Sequence, residues 1–302
     1  MGEFTLDLLG RRLTVSDASE SLIAWLEDHW HFPEHAGQLS SNWTFLLEYS
    51  QEPEPAGLRE QAKPLEGAMN ALEVVWTDDG SVWLLEEGGG VRLTLDEKKQ
   101  RVRLSWYGML EHTDALYQGL CEAMRSSGLI PLHASVAVKA GKATAFLGPS
   151  GTGKTTTLLR AIVAGWQPLC EDFGWLEPQS RVLYSWDRKL HLLPDTLQVL
   201  ERLFPQVQAD NFDGRKHPVE FSSLAQRVWS SPLHTLAVLE RDPAQVSAWH
   251  DIPLLETLVS FYGSTGLPLF KALRQPFSDL SGELLRRLEA QKLVLGSGEL
   301  PL

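Results

Sequence analysis

"FLGPSGTGKTTTLLR", residues 146–160, holds Gly148, four further residues, and then Gly153-Lys154-Thr155. The apolar stretch Thr144–Leu147 reads as a strand that delivers the chain into this loop, and Thr155–Val163 as the helix that leaves it. Glycines at 148, 151 and 153 permit backbone torsions that a side chain forbids. Consecutive amide N–H groups can then turn inward around phosphate oxygens at a helix N-terminus. Lys154 is spaced to reach the outer phosphates of a nucleotide, and Thr155 to offer its hydroxyl to Mg2+. The candidate binding residues are Gly148, Ser150, Gly151, Thr152, Gly153, Lys154, Thr155 and Thr156.

The residues downstream say what such a loop could serve. The helix is expected to stop at Gly165, and "WQPLCEDF" to return as a strand ending in Glu171-Asp172, with Asp172 18 residues beyond Lys154. A helix of about 11 residues and a strand of about 5 each span roughly 16 Å. The strand can therefore retrace the helix, and a right-handed crossover returns both acids to the loop's edge of the sheet. Two carboxylates there can divide labour. One can hold Mg2+, and the other can accept a proton from an attacking hydroxyl.

Composition narrows the partners. Twenty-seven Lys and Arg against 39 Asp and Glu give a net charge of −12, which favours neither nucleic acid nor anionic membranes. No apolar run approaches the roughly 18–20 residues of a membrane span. Met1-Gly2-Glu3-Phe4 carries no basic region followed by an apolar one, so export is not expected. Cys121 and Cys170 have no metal-ligand spacing and fit a reducing cytoplasm.

Along the chain, residues 4–14 read as a hairpin or edge strand and 19–30 as a helix behind Ser19 and Ser21. Residues 70–107 read as an antiparallel meander, with "DDG" and "EEGGG" as its turns. Residues 110–127 read as a helix. Two strands follow around Ala140-Gly141-Lys142. After the phosphate loop come strands, a short helix at "PDTLQVLERLF", a loop at "DNFDGRKHPVEF" and a strand at 233–241. Helices are expected over most of the remainder. The composition shift near 108 predicts a β-rich N-terminal domain over 1–108 and a nucleotide domain over 109–302.

The loop text alone resembles that of ABC-type transport ATPases, and "LSGE" (280–283) echoes their signature. In that family the signature precedes an apolar strand ending in Asp-Glu, which is absent here. Ser278 or Ser281 is better read as the cap of a terminal amphipathic helix. A closer resemblance lies in "LHASVAVKAGKATAFLGPSGTGKTTTLLRAIVAGWQPLCEDF", residues 132–173. A Leu-His, a short hairpin, a phosphate loop, a helix ending in Gly, and an apolar strand ending in two acids stand there in the order of the HPr kinase/phosphorylase family. The resemblance is specific over about 42 residues and looser over 109–260.

It implies an α/β (α+β) fold with a phosphoenolpyruvate-carboxykinase-like P-loop kinase core. Asp172 matches the family's general base, Glu171 the acid near the metal, and His133 the histidine beside the active site. Thr155-Thr156 stand where HPr kinases have Ser-Glu, Glu171 replaces an Asp, and the family's Arg-Gly-rich signature is missing at "SWDRKLHLLPD". The chain thus resembles more closely the HPr-kinase-like branch that includes the lasso-peptide precursor kinases. The implied activity is transfer of the terminal phosphoryl group of ATP or GTP, with Mg2+, to a hydroxyl, chiefly a serine of a peptide or small protein. Two alternatives stay open: a nucleotide-gated binding or chaperone-like protein, and a kinase of a small metabolite such as free serine. Self-association is also left open.

Weaker candidates complete the set. Lys189, Arg215 and Lys216 could steady phosphate charge. Glu240 could be a second metal ligand at a strand end. His31 and His35 could meet on a helix that Pro33 interrupts. Trp25, Trp30, Trp76 and Trp83 read as core or interface residues.

Overall fold

Alternating apolar residues set the first strands. The computed structural model describes residues 3–30, 32, 39–52, 54–65, 72–108, 114–207, 217–297 and 300–302. The chain divides into two compact units, Met1–Leu129 with Pro268–Ser278, and Ile130–Leu267 with Asp279–Leu302. The sequence expectation placed the division at 108, whereas the helix after it and the 268–278 segment group with the first unit.

In the first unit, β1 (Phe4–Leu8) and β2 (Arg11–Val15) pair as an antiparallel hairpin. They bury Leu6, Leu8, Leu13 and Val15 on alternate positions. The helix α1 (Glu20–Trp30) buries Leu22, Trp25, Leu26 and Trp30, spaced for one helical face. Ser19 Oγ accepts the Leu22 N–H at its start. Then come β3 (Thr44–Tyr49), β4 (Lys63–Pro64), β5 (Glu73–Trp76), β6 (Val82–Glu86), β7 (Gly89–Asp96) and β8 (Arg101–Gly108).

These strands form an eight-stranded sheet in the order β1-β2-β3-β8-β7-β6-β5-β4. The meander of β5 to β8 is antiparallel, as its turns imply, while β3 runs parallel to β2 and β8. The helix α2 (Asp114–Ser126) packs on β6, β7 and β8. It carries the fully buried Glu122. Glu122 Oε2 pairs with Arg125 at 3.2 Å, and its Oε1 accepts the N–H of Leu269 at 2.8 Å and of Phe270 at 3.2 Å. Trp25, Trp30 and Trp83 are buried, and Trp76 Nε1 donates to the Leu269 carbonyl.

The second unit opens with β9 (Ile130–Leu132), β10 (Ser135–Lys139) and β11 (Lys142–Leu147). Ala140 and Gly141 both have positive φ, 50° and 74°, as a two-residue hairpin turn requires. Next are α3 (Lys154–Val163), β12 (Gln167–Cys170), β13 (Gly174–Glu177), β14 (Val182–Ser185) and β15 (Lys189–Leu192). They are followed by α4 (Pro194–Leu203), β16 (His217–Glu220), β17 (Ser230–Val246), β18 (Ala248–Asp251) and α5 (Leu254–Thr265). The chain closes with α6 (Arg274–Leu285), whose first residues count with the first unit, and β19 (Glu289–Ser297).

The main sheet runs β12-β10-β11-β17-β14-β13-β9, with β19 on β17 and β18 outside β19. β17 is parallel to β11 and to β19. β10 is antiparallel to both β11 and β12, so β12 runs the same way as β11 and ends at the same edge. Leu158 and Leu159 of α3, Leu200 of α4 and Phe204 just past its end are buried against Phe146, Ala237, Leu239 and Leu293. Each of the Leu and Phe side chains contributes roughly 1.5–3 kcal/mol of burial. The architecture is a mixed α/β one with large mixed sheets and, among the described residues, six α-helices.

The structure corrects the reading of the last third. Residues 248–251 and 289–297 are strands, not helix, because β17 offers an open edge that β19 pairs along its length. Residues 217–220 pair with β15 and are not loop. α6 starts at Arg274, four residues before Ser278, so neither serine caps it, and Ser281 is buried inside the helix.

Candidate functional site

The phosphate loop leaves β11 at Leu147 and enters α3 at Lys154. Gly148, Gly151 and Gly153 adopt φ of 153°, 83° and 103°. A Cβ on Gly148 would stand 2.7 Å from Thr152 Oγ1, so the loop closes on itself only with glycine there. Thr152 Oγ1 donates to the Pro149 carbonyl at 2.8 Å. Lys154 is buried, and its Nζ donates to the Gly148 carbonyl at 2.8 Å and the Pro149 carbonyl at 3.4 Å. Ser150 is exposed, and Thr155 and Thr156 are half-buried in the first turn of α3.

Both acids arrive at the loop's edge of the sheet, immediately past the end of β12. Thr155 Oγ1 donates to Glu171 Oε1 at 2.5 Å, which joins the two expected metal-side groups directly. Glu171 is 4% exposed. Burial pushes its carboxyl up to about 7, the charges of Asp172 and Asp187 push the same way, and the Thr155 hydrogen bond opposes them. Asp172 turns to a different partner, with Oδ1 3.2 Å from His133 Nδ1 and both side chains about two-fifths open to solvent, 40% and 43%. His133 sits between β9 and β10, its backbone N–H donating to the Ser264 carbonyl of α5. Ser135 Oγ donates to the Glu171 carbonyl at 2.6 Å, locking β10 to the acid-bearing turn.

The sequence reading missed what holds that turn. Asp187 Oδ2, from the link between β14 and β15, accepts the backbone N–H groups of Glu171, Asp172 and Phe173 at 2.8, 2.7 and 3.0 Å. Enclosure raises its carboxyl to about 6 despite these three donors. Arg227 lies behind it, with its guanidinium 4.1 Å from the Phe221 ring centroid and 4.0 Å from that of Trp229. Arg227 donates to the carbonyls of Leu169 and Asp187 and to Ser185 Oγ. Burial lowers its guanidinium to about 10. In the sequence Asp187 heads the charged run Asp187-Arg188-Lys189 and Arg227 follows Gln226, so neither stands out as part of a site.

The donor set suits the implied ligands. A threonine hydroxyl beside a carboxylate is a hard oxygen pair, which fits Mg2+ completed by phosphate oxygens and water. The glycine cradle and the α3 N-terminus fit a polyphosphate. Among the described residues no group of three or more His, Cys, Asp or Glu side chains forms an all-protein metal cage.

Other candidates lie elsewhere or are engaged. Lys189 pairs with Glu220 across β15 and β16 at 3.0 Å. Glu240 takes Lys292 Nζ at 2.8 Å, so it is held in an ion pair and not aimed at the loop. Arg215, Lys216, His31 and His35 lie outside the described residues. Cys121 and Cys170 are buried free thiols, and burial pushes Cys121 up to about 12, so neither is a reactive nucleophile. Among the described residues no helix is long and apolar enough to cross a membrane. No protein-family model matches the chain, and no curated protein matches it in sequence.

Proposed function

We propose that the second unit is a Mg2+-dependent phosphotransferase of the phosphoenolpyruvate-carboxykinase-like P-loop kind, acting on a hydroxyl acceptor. One observation carries this reading: two adjacent acids at the loop's edge face different partners. Glu171 meets Thr155 at 2.5 Å, and Asp172 meets His133 at 3.2 Å. A structural turn needs no such division, whereas phosphoryl transfer needs both a metal-side carboxylate and a base.

Bound ATP or GTP with Mg2+ supplies the phosphoryl group and the compensating charge. Thr155 and Glu171 would hold the metal, and Glu171 would first have to lose its proton. Loop amides and Lys154 neutralise charge on the outer phosphates. Asp172 accepts the acceptor's proton as the acceptor oxygen bonds to phosphorus and the nucleoside diphosphate leaves. His133 orients that carboxylate. The half-open setting of Asp172 and His133 suits an acceptor presented from solvent, such as a serine of a peptide or small protein.

Intact-mass detection of a phosphorylated product on serine-containing peptides and on free serine tests the proposal. Asp172→Asn is expected to lower transfer by about 10^2-fold or more while nucleotide binding is kept. Transfer by Asp172→Asn at the wild-type rate refutes the base. Tight nucleotide binding by the wild type with no product on either acceptor class favours the nucleotide-gated binding protein instead.

A further inference from the structure

The strand β17 overshoots the phosphate loop. Its Val238 is in register with Leu147, the last residue of β11, so Leu239, Glu240 and Arg241 extend beyond the point where the loop begins. Glu240 faces away from α3 and is taken up with Lys292, which also reaches Glu256 at 2.7 Å. Arg241 takes the opposite face. Leu239 and its β19 partner Leu293 both pack in the core under α3. Two residues further on, Arg241 and its partner Leu295 share that same face. Leu295 fixes how close this is to the loop, because its Cδ1 lies 3.1 Å from where a Cβ on Gly153 would stand. Arg241 is exposed, and among the described residues no ion pair or side-chain hydrogen bond engages it. The neighbouring Asp242 is turned to Ala244 N–H and Gln245 Nε2 instead.

The sheet order gives this cation its place. Asp172 follows β12, on one side of β11, while β17 and β19 lie on the other. A triphosphate whose terminal phosphate faces Asp172 must run its inner phosphate and nucleoside away from β12, towards β17 and β19. We propose that Arg241 is a nucleotide-binding residue that grips the inner, nucleoside-proximal phosphate of the donor. This rests on the phosphotransferase reading for the direction in which the donor lies. A guanidinium can take a phosphate bidentately, an arrangement an ammonium cannot reproduce.

The test uses the full chain with Mg2+ and three probes: ATP, tripolyphosphate and pyrophosphate. Pyrophosphate fills the two outer positions held by the loop and Lys154, and the other two also reach the inner one. Arg241→Ala is expected to weaken ATP and tripolyphosphate by about tenfold and to leave pyrophosphate within about twofold, with Arg241→Lys between. Wild-type affinity of Arg241→Ala for ATP and tripolyphosphate overturns the assignment. Equal weakening for all three probes also overturns it, since that is a general field effect. A wild-type protein that binds none of the three overturns the phosphate-loop reading itself. Because Arg241 is exposed, an unchanged melting profile is expected, which separates lost contact from lost fold.

Discussion

Glu171 should make this protein respond to pH in opposite directions with and without its ligands. Its carboxyl is raised from 4.5 to about 7 by burial. Between those values the folded chain holds a proton that the unfolded chain has released. The stabilising effect is therefore complete below pH 4.5 and is lost as pH climbs through 7. The slope is about 1.4 kcal/mol per pH unit, or about 3 kcal/mol over the window. Metal loading has the reverse sign, because a protonated carboxyl cannot ligate. Affinity for Mg2+ in the nucleotide complex should fall about tenfold per pH unit below 7. Urea unfolding of the ligand-free protein from pH 4.5 to 8, for wild type and Glu171→Gln, isolates the group. Gln keeps the size and can still accept from Thr155, and Asp187, raised to about 6, is common to both chains and largely cancels. The Gln variant should gain on the wild type as pH rises, and Mg2+·ADP titrations should show its pH slope gone. A stability difference that stays flat across the window would refute the claim that Glu171 is buried with its proton.

Asp187→Ala deletes three hydrogen bonds to an enclosed carboxylate and leaves the amides of Glu171, Asp172 and Phe173 without that acceptor. A net loss of about 2–5 kcal/mol is expected by chemical denaturation, with activity lost alongside it. Glu122→Ala removes the carboxylate that pairs with the buried Arg125 and accepts from the amides of Leu269 and Phe270. A loss of about 3–5 kcal/mol should follow, with hydrogen-exchange protection of those two amides falling first.

The phosphate loop and the acid pair were legible because their chemistry is written locally. A fixed glycine spacing and a helix-length interval determine where Lys154, Thr155, Glu171 and Asp172 meet. Asp187 and Arg227 were not legible, since each acts through backbone groups of a distant segment and backbone carries no sequence signature. The final strand was misread for a related reason. "EAQKLVLGS" becomes a strand because β17 presents an unpaired ladder, and pairing outweighs local preference. Glu240 showed the limit of reading strand ends, for the ammonium that engages it comes from 52 residues away.

The hydrogen bonds from Lys154 to the carbonyls of Gly148 and Pro149 bear on how readily the loop takes a phosphate. A lysine free in solution samples many rotamers, and immobilising it costs up to about 2 kcal/mol of conformational entropy. Here the two carbonyls restrict it before any anion arrives, and glycine torsions have set the amides around it. That ordering cost falls on folding rather than on association, so it does not subtract from affinity. Phosphate oxygens need only replace two carbonyls on an ammonium already in the mouth of the loop, and the loop can be both quick to load and selective for anions of its own curvature.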